Sequence, residues 1–184
     1  RTPAGLERRS VTFRRTHHGP ILAERDGRQV AVRVAGLAEG GILGQFYAMA
    51  RARDLAGFRS ALDRNALPNQ HVIYADADGN IAYVYNGLIP RRDPRFDWRA
   101  PVDGSDPATE WRGVHPLSER PQVLNPPGGY VQACNSSPFL AADAATLDPA
   151  AFPRYMIGEA DQDNARARRA RQLLGGERAF SFED

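Results

Sequence analysis

The sequence predicts an α+β fold built on antiparallel sheet, and three stretches carry that expectation. Residues 69–87 read as a hairpin: Val72-Ile73-Tyr74-Ala75 and Ile81-Ala82-Tyr83-Val84-Tyr85 flank Asp76-Ala77-Asp78-Gly79-Asn80. From Ile42 to Leu62 the apolar residues recur at helical spacing instead. Ala165, Ala167, Ala170, Leu173 and Leu174 favour a further helix, ended by Gly175-Gly176.

Composition limits what such a fold can do. A chain of 184 residues can bury a core and reads as one domain, 1–184. The single cysteine excludes an internal disulfide and a cysteine-based zinc site. All 24 basic residues are arginine, but acids interleave with them and no one-sided basic stripe forms. A nucleic-acid partner is therefore not expected. No apolar run is long enough to span a bilayer, so no membrane partner is expected either. Arg1-Thr2-Pro3-Ala4-Gly5 is neither an initiator sequence nor a signal peptide. We expect an internal piece of a longer protein.

In chain order, residues 7–16 with Val11-Thr12-Phe13 read as a strand. His17-His18-Gly19-Pro20 reads as a turn, and Ile21-Leu22-Ala23 as extended chain. Asp26-Gly27 is a hairpin signal before a strand at Val30–Val34. Ile42, Phe46, Met49 and Ala50 define a helix whose apolar positions are expected in the core, with Phe46 or Tyr47 alternatively lining a pocket. Asp54 is placed as the N-cap of a second helix through Leu55, Phe58, Ala61 and Leu62 that ends near Asn65. The 69–87 hairpin is apolar on both faces and should lie between packed layers. Asp76 and Asp78 are spaced like part of a calcium loop, yet no bidentate acid follows, so they are expected to form the turn.

Residues 88–129 hold eight of the fourteen prolines, with Trp98 and Trp111, and are expected to be a long ordered loop pinned by those tryptophans. Tyr130 to Phe139 is expected to be a strand that turns polar at Asn135-Ser136-Ser137 and stops at Pro138. The last helix is expected to begin near Asp161–Asp163, with Arg166, Arg168, Arg169 and Arg171 on a solvated face.

The familiar catalytic motifs are missing: no nucleophile elbow, phosphate loop, dinucleotide fingerprint or zinc-protease helix. His17, His18, His71 and His115 lack metal-ligand spacing and are expected in turns or at the surface. Cys134 is expected to pack as a small hydrophobe. Asn135 admits two roles. Its amide N–H can stabilise a developing oxyanion, or it can satisfy neighbouring backbone at a strand exit.

An ordered set of motifs decides more. Arg15-Thr16-x-His18-Gly19-Pro20-Ile21-Leu22 comes first, followed by Asn69-x4-Tyr74-Ala75-Asp76-x2-Gly79-Asn80-Ile81-x-Tyr83. Gly87-x2-Pro90-x-Arg92 and Glu110-Trp111-x-Gly113, then Pro116, come next. Asn125-Pro126-Pro127-x-Gly129-Tyr130 then runs into Asn135-x2-Pro138. Together these resemble the β-chain of the penicillin acylase family.

The resemblance implies a four-layer αββα sandwich of the N-terminal-nucleophile hydrolases. It also implies hydrolysis of a linear amide in an N-acylated substrate, such as a penicillin, an N-acyl homoserine lactone or a lipopeptide. Family precursors cut themselves into α and β chains, and the new β-chain N-terminal serine attacks with its own α-amino group as base. By the resemblance, Asn135 is the oxyanion-hole asparagine and Arg166 orients the site. Phe46 or Tyr47, with Gln70, would contact substrate.

The nucleophile finds no match in this chain, which is expected to be inactive alone and to need the rest of the β-chain and the α-chain as partners. No cofactor and no metal ligand is assigned. The family admits a structural calcium near Trp98 and Asp143 or Asp148. The implied location is periplasmic or secreted. The competing expectation is a β-rich, non-catalytic binding module that kept the fold.

Overall fold

The computed structural model describes residues 5–6, 8–37, 40–143, 147–158, 162–176 and 180–181. It is α+β with antiparallel pairing throughout, grouped into two compact units, residues 1–34 and 35–184.

The first unit is a three-stranded meander of β1 (Arg15–Thr16), β2 (Gly19–Arg25) and β3 (Arg28–Ala31). Asp26 and Gly27 both take positive φ (50° and 71°), the geometry of a two-residue hairpin whose twist matches its strands. Gly19 is required, because a Cβ there would lie 2.1 Å from the Val32 carbonyl oxygen. The expected strand over 7–16 is reduced to Arg15–Thr16. Val11 and Phe13 are 69% and 87% exposed, so no apolar surface rewards extending the ladder. Glu7 lies outside the described residues. The strand expected at Val30–Val34 stops at Ala31.

The second unit is built on a sheet of β4 (Asn69–Ala75), β5 (Ile81–Gly87) and β6 (Gln122–Leu124), with β5 central. The hairpin register runs from Asn69 opposite Gly87 to Ala75 opposite Ile81. Side chains alternate across β5, so Val84 and Tyr83 point to opposite faces. Val84 joins Val72, Leu62 and Leu117, with Met49 and Phe58 packed against them. Tyr83 joins Val123, Ala141 and Ala142, with Tyr85, Val131, Ala133 and Leu147 alongside. Both faces are covered, as the pattern required. Helices α1 (Ile42–Ala50) and α2 (Leu55–Leu62) cover the first face. The chain after residue 130 covers the second.

Asp76 shows how the turn closes. Its Oδ1 accepts from the backbone N–H of Asp78 and Asn80, and its Oδ2 accepts from the Asn80 amide and the Tyr74 hydroxyl. The Asn80 amide, foremost among these donors, holds the Asp76 carboxyl below its ordinary range. Burial, and next the bond to Asp76, push the Tyr74 hydroxyl up to about 12. A carboxyl with a depressed folded-state value contributes stability above its unfolded value of about 4, lost as pH falls through the folded value. Urea midpoints at neutral and acidic pH should therefore show a smaller acid loss in Asp76→Asn than in wild type, and equal acid losses would refute this.

In α1 the expectation for the apolar positions fails in part. Ile42 and Phe46 are 36% and 43% exposed, whereas Gln45 is fully buried. The chain leaving α2 passes through Asn65 in the left-handed region and presents the N–H groups of Ala66 and Leu67 to the helix. The Gln45 Oε1 accepts both, at 2.5 and 3.2 Å. An amide meets those donors where an apolar side chain could not. In α2 the Asp54 Oδ1 caps Gly57 N at 2.7 Å, as expected.

The 88–129 stretch is ordered, but it is more than a loop: it contributes β6, a three-residue strand too short to carry a visible alternation. The Arg92 guanidinium stacks between Trp98 (5.2 Å) and Trp111 (5.3 Å), so the tryptophans anchor the segment around a shared cation. His115, expected at the surface, is 5% exposed. Its Nδ1 faces Glu119 at 2.7 Å and its Nε2 faces the Tyr155 hydroxyl at 3.0 Å. His71 is likewise no surface residue, since it is half-buried on β4 against the Tyr83 hydroxyl. His17 and His18 do form the turn.

Candidate functional site

The sequence candidates converge at the loop after Pro126-Pro127-Gly128-Gly129. A Cβ on Gly128 would fall 1.5 Å from the Asp143 Oδ2, so a larger residue there would displace that carboxylate from its place over the turn. Burial, and next the bond to Asp143, raise the Tyr130 hydroxyl above its ordinary value. The Asp148 Oδ1 caps Ala150 N. Both acids near which the family admits calcium thus have local partners, and neither falls in a cluster of metal-ligating side chains among the described residues.

Tyr130–Ala133 is not a ladder strand. Val131 and Ala133 pack on the Tyr83 face of the sheet, and the chain then folds back on itself. Gln132 enforces the reversal from a position only 5% exposed. Its Nε2 donates to Leu140 O (2.5 Å) and Ser136 Oγ (3.3 Å), and its Oε1 accepts from Cys134 N at 3.1 Å. Its own N–H donates to Ala141 O at 2.7 Å. A strand would need a neighbouring strand for these groups; here the Gln132 side chain meets Cys134 N and Leu140 O, and the Ala141 carbonyl meets Gln132 N. Cys134 is a free thiol that is only half-buried, less enclosed than the expected packing role.

The reversal places Asn135 at φ 50°, in the left-handed region that asparagine tolerates better than most residues. Its side chain is exposed. Ser136 and Pro138 are buried directly after it, which anchors the far side of the bend.

Helix α3 (Ala165–Leu174) supplies the partner. It begins later than expected, with Asn164 as N-cap; Asp161 lies outside the described residues. Ala167 is fully buried, while Arg166, Arg168 and Arg169 stay on the exposed face. From that face the Arg166 Nη2 donates to the Asn135 Oδ1 at 3.1 Å. The contact has a chemical consequence. A guanidinium can only donate, so the amide must turn its oxygen to Arg166. The Asn135 NH2 is then directed away from the arginine, as a donor.

The structure therefore brings Asn135 and Arg166 together. It places the other candidates elsewhere. α1, carrying Phe46 and Tyr47, packs through Met49 on the Val84 face, opposite the Tyr83 face that holds the Asn135 loop. Gln70 shares the Val72 side of β4 and is exposed. Tyr47 is 64% exposed, and its hydroxyl accepts from Arg51 at 3.2 Å. Sequence reasoning missed Gln132 and Asn164. An asparagine directly before an alanine-rich helical run is an N-cap signal for the second; Gln132 carried no comparable signal.

Comparison with known proteins places this geometry among relatives. The family model described as penicillin amidase matches residues 3–184. Penicillin G acylase of Escherichia coli is 43% identical over 65 residues, covering 35% of this chain and 8% of that protein. Penicillin acylase 2 proenzyme of Pseudomonas sp. (strain SE83) is 28% identical over 174 residues, covering 92% of this chain and 21% of its own length. The chain thus spans about a fifth or less of the curated relatives it matches. Among solved structures, thermostable penicillin G acylase from Alcaligenes faecalis superposes with a TM-score of 0.67 at 29% identity, covering 80% of this chain and 27% of that one.

Proposed function

The chain belongs to the penicillin amidase family, and from that premise we propose that it forms the oxyanion side of an amide-hydrolysing site completed by the rest of a longer protein. In this reading the substrate is a linear N-acyl amide; the matched relatives carry the name penicillin acylase. The nucleophile is an N-terminal serine outside these 184 residues, and its α-amino group is the base. The chain is then an internal segment of one β-chain domain, contributing part of a four-layer sandwich, in a periplasmic or secreted enzyme.

One observation carries the reading: the Arg166 Nη2 to Asn135 Oδ1 bond, which fixes the asparagine amide with its NH2 as the outward donor. When serine attacks the acyl carbon, the carbonyl oxygen gains negative charge. A pre-oriented N–H donor stabilises that charge without reorganising during the step. Arg166 adds a nearby positive charge and holds the donor in place. Collapse of the tetrahedral species expels the amine and leaves the acyl group on serine, and water then releases the acid.

Asn135 is exposed in this chain, and an oxyanion donor acts most strongly where water is excluded. The enclosing surface is therefore assigned to the remaining β-chain and the α-chain. Phe46 or Tyr47 and Gln70 lie on the other face of the sheet from the Asn135 loop, so a substrate contact there is separate from the oxyanion donor. All are solvent-accessible, as a pocket wall requires before substrate binds.

The test is amine release from a panel of N-acyl amides, including a penicillin and an N-acyl homoserine lactone. The full-length protein should hydrolyse at least one, and the isolated 184-residue chain none. Turnover by the isolated chain would overturn the division of labour. Silence of the full-length protein on every amide would overturn the activity.

A further inference from the structure

We propose that Asn164 is a positioning residue for the oxyanion donor, holding the Asn135 backbone in its left-handed turn and tying it to the helix that carries Arg166. This rests on the reading of Asn135 given above.

Three contacts of one side-chain amide carry the inference. The Asn164 Nδ2 donates to the Cys134 carbonyl at 2.9 Å and to the Asn135 carbonyl at 3.2 Å. Its Oδ1 accepts from Ala167 N at 3.0 Å, which caps α3. The two carbonyls flank the Cα of Asn135, so the Nδ2 group clamps the peptide planes on either side of it. The Oδ1 group fixes the first turn of the helix that delivers Arg166. The backbone of Asn135 and the guanidinium that orients its amide are thus both referred to one residue.

The need for such a clamp is physical. A non-glycine residue at φ 50° has an extended alternative close in energy. The Asn135 side chain is exposed and is held through its Oδ1 by Arg166. A donor must sit within a few tenths of an ångström of its place to act on a developing charge, and a displacement of about 1 Å can cost roughly 100-fold in rate. Cys134 is held from the other side by Gln132 through its N–H. The carbonyls of residues 134 and 135 take Asn164 on theirs.

The two halves of the Asn164 amide can be tested separately. Aspartate caps a helix N-terminus as well as asparagine does, but it has no N–H to donate, and its second oxygen would face the two carbonyls. In the full-length protein, Asn164→Asp should lower kcat roughly 10- to 100-fold, with KM and the thermal midpoint little changed. Rates are referred to active sites titrated by the acyl-enzyme burst, so a smaller folded fraction does not register as a lower kcat.

The same substitution is then made in an Asn135→Gly background, where the donor is already absent. There Asn164→Asp should have almost no further effect, because the two residues act as one unit. An unchanged kcat in Asn164→Asp, with Asn135→Gly strongly impaired, overturns the positioning role and leaves Asn164 a helix cap. Equal losses from Asn164→Asp in both backgrounds overturn it as well. Full activity in Asn135→Gly instead removes the reading on which the role depends.

Discussion

Replacing Asn135 by alanine in the full-length protein should lower kcat for amide hydrolysis by roughly 100- to 1,000-fold while KM changes little. That is the cost of removing one donor to a developing oxyanion, about 3–4 kcal/mol of transition-state stabilisation. The ground-state carbonyl is nearly neutral and loses far less, which is why the effect belongs in kcat. The position complicates the alanine variant, since Asn135 sits at φ 50° and a Cβ without a polar end is disfavoured there. Asn135→Gly removes the amide while making the left-handed turn easier to adopt. If the amide is what matters, glycine and alanine should lose rate alike. If glycine retains the wild-type rate, the residue serves the turn and not the chemistry.

The largest effect on stability is expected at Arg120, which is 2% exposed. Its guanidinium donates to the His115 carbonyl (2.6 and 3.2 Å), to the Asn86 Oδ1 (3.2 Å) and to the Asn65 Oδ1 (2.5 Å). Those partners lie just past α2, on β5 and in the proline-rich segment, so one side chain ties three parts of the unit together. Burial lowers its pKa to about 10, with Asp63 acting in the opposite direction. Arg120 therefore remains charged at neutral pH, and its compensation comes from carbonyl and amide oxygens.

Arg120→Ala leaves three acceptors, two of them on buried residues, and a cavity, and should cost about 4 kcal/mol. Arg120→Met refills much of the volume but none of the hydrogen bonds, and should recover only about half of that loss. Urea unfolding followed through Trp98 and Trp111 measures both. A cost below about 1 kcal/mol for the alanine variant would show that the oxygens are satisfied without the guanidinium.

Where the sequence was legible, the cause was local. The Asp76–Asn80 turn, the Asp54 cap and the two apolar faces of β5 are set by residues within a few positions of one another. Both sheet clusters follow from that alternation. The misreadings came where a distant partner decides. Tyr130–Ala133 has the composition of a strand, but Gln132 takes up the backbone groups that a neighbouring strand would have met. Val11–Phe13 has strand-forming residues and remains exposed.

The polar residues that organise the unit were the least visible. Gln45 reaches 21 residues along the chain to Ala66, and Arg120 reaches 55 to Asn65. Periodicity carries no information about such pairs. Asn135 and Arg166 were found through resemblance, and their separation of 31 positions hides the contact from any local pattern. What the structure adds is the direction of the amide, and with it the hydrogen-bonding role that Asn135 can fill.

That direction can be measured. A crystal structure of the full-length protein with a boronate or phosphonate captured by the nucleophile would locate the mimic's oxyanion. The account predicts the Asn135 Nδ2 at about 2.7–3.1 Å from that oxygen, the reach of a working donor, with Oδ1 still bonded to Arg166. An oxyanion held by other groups, with the Asn135 amide turned away or its Oδ1 facing the adduct, would contradict it.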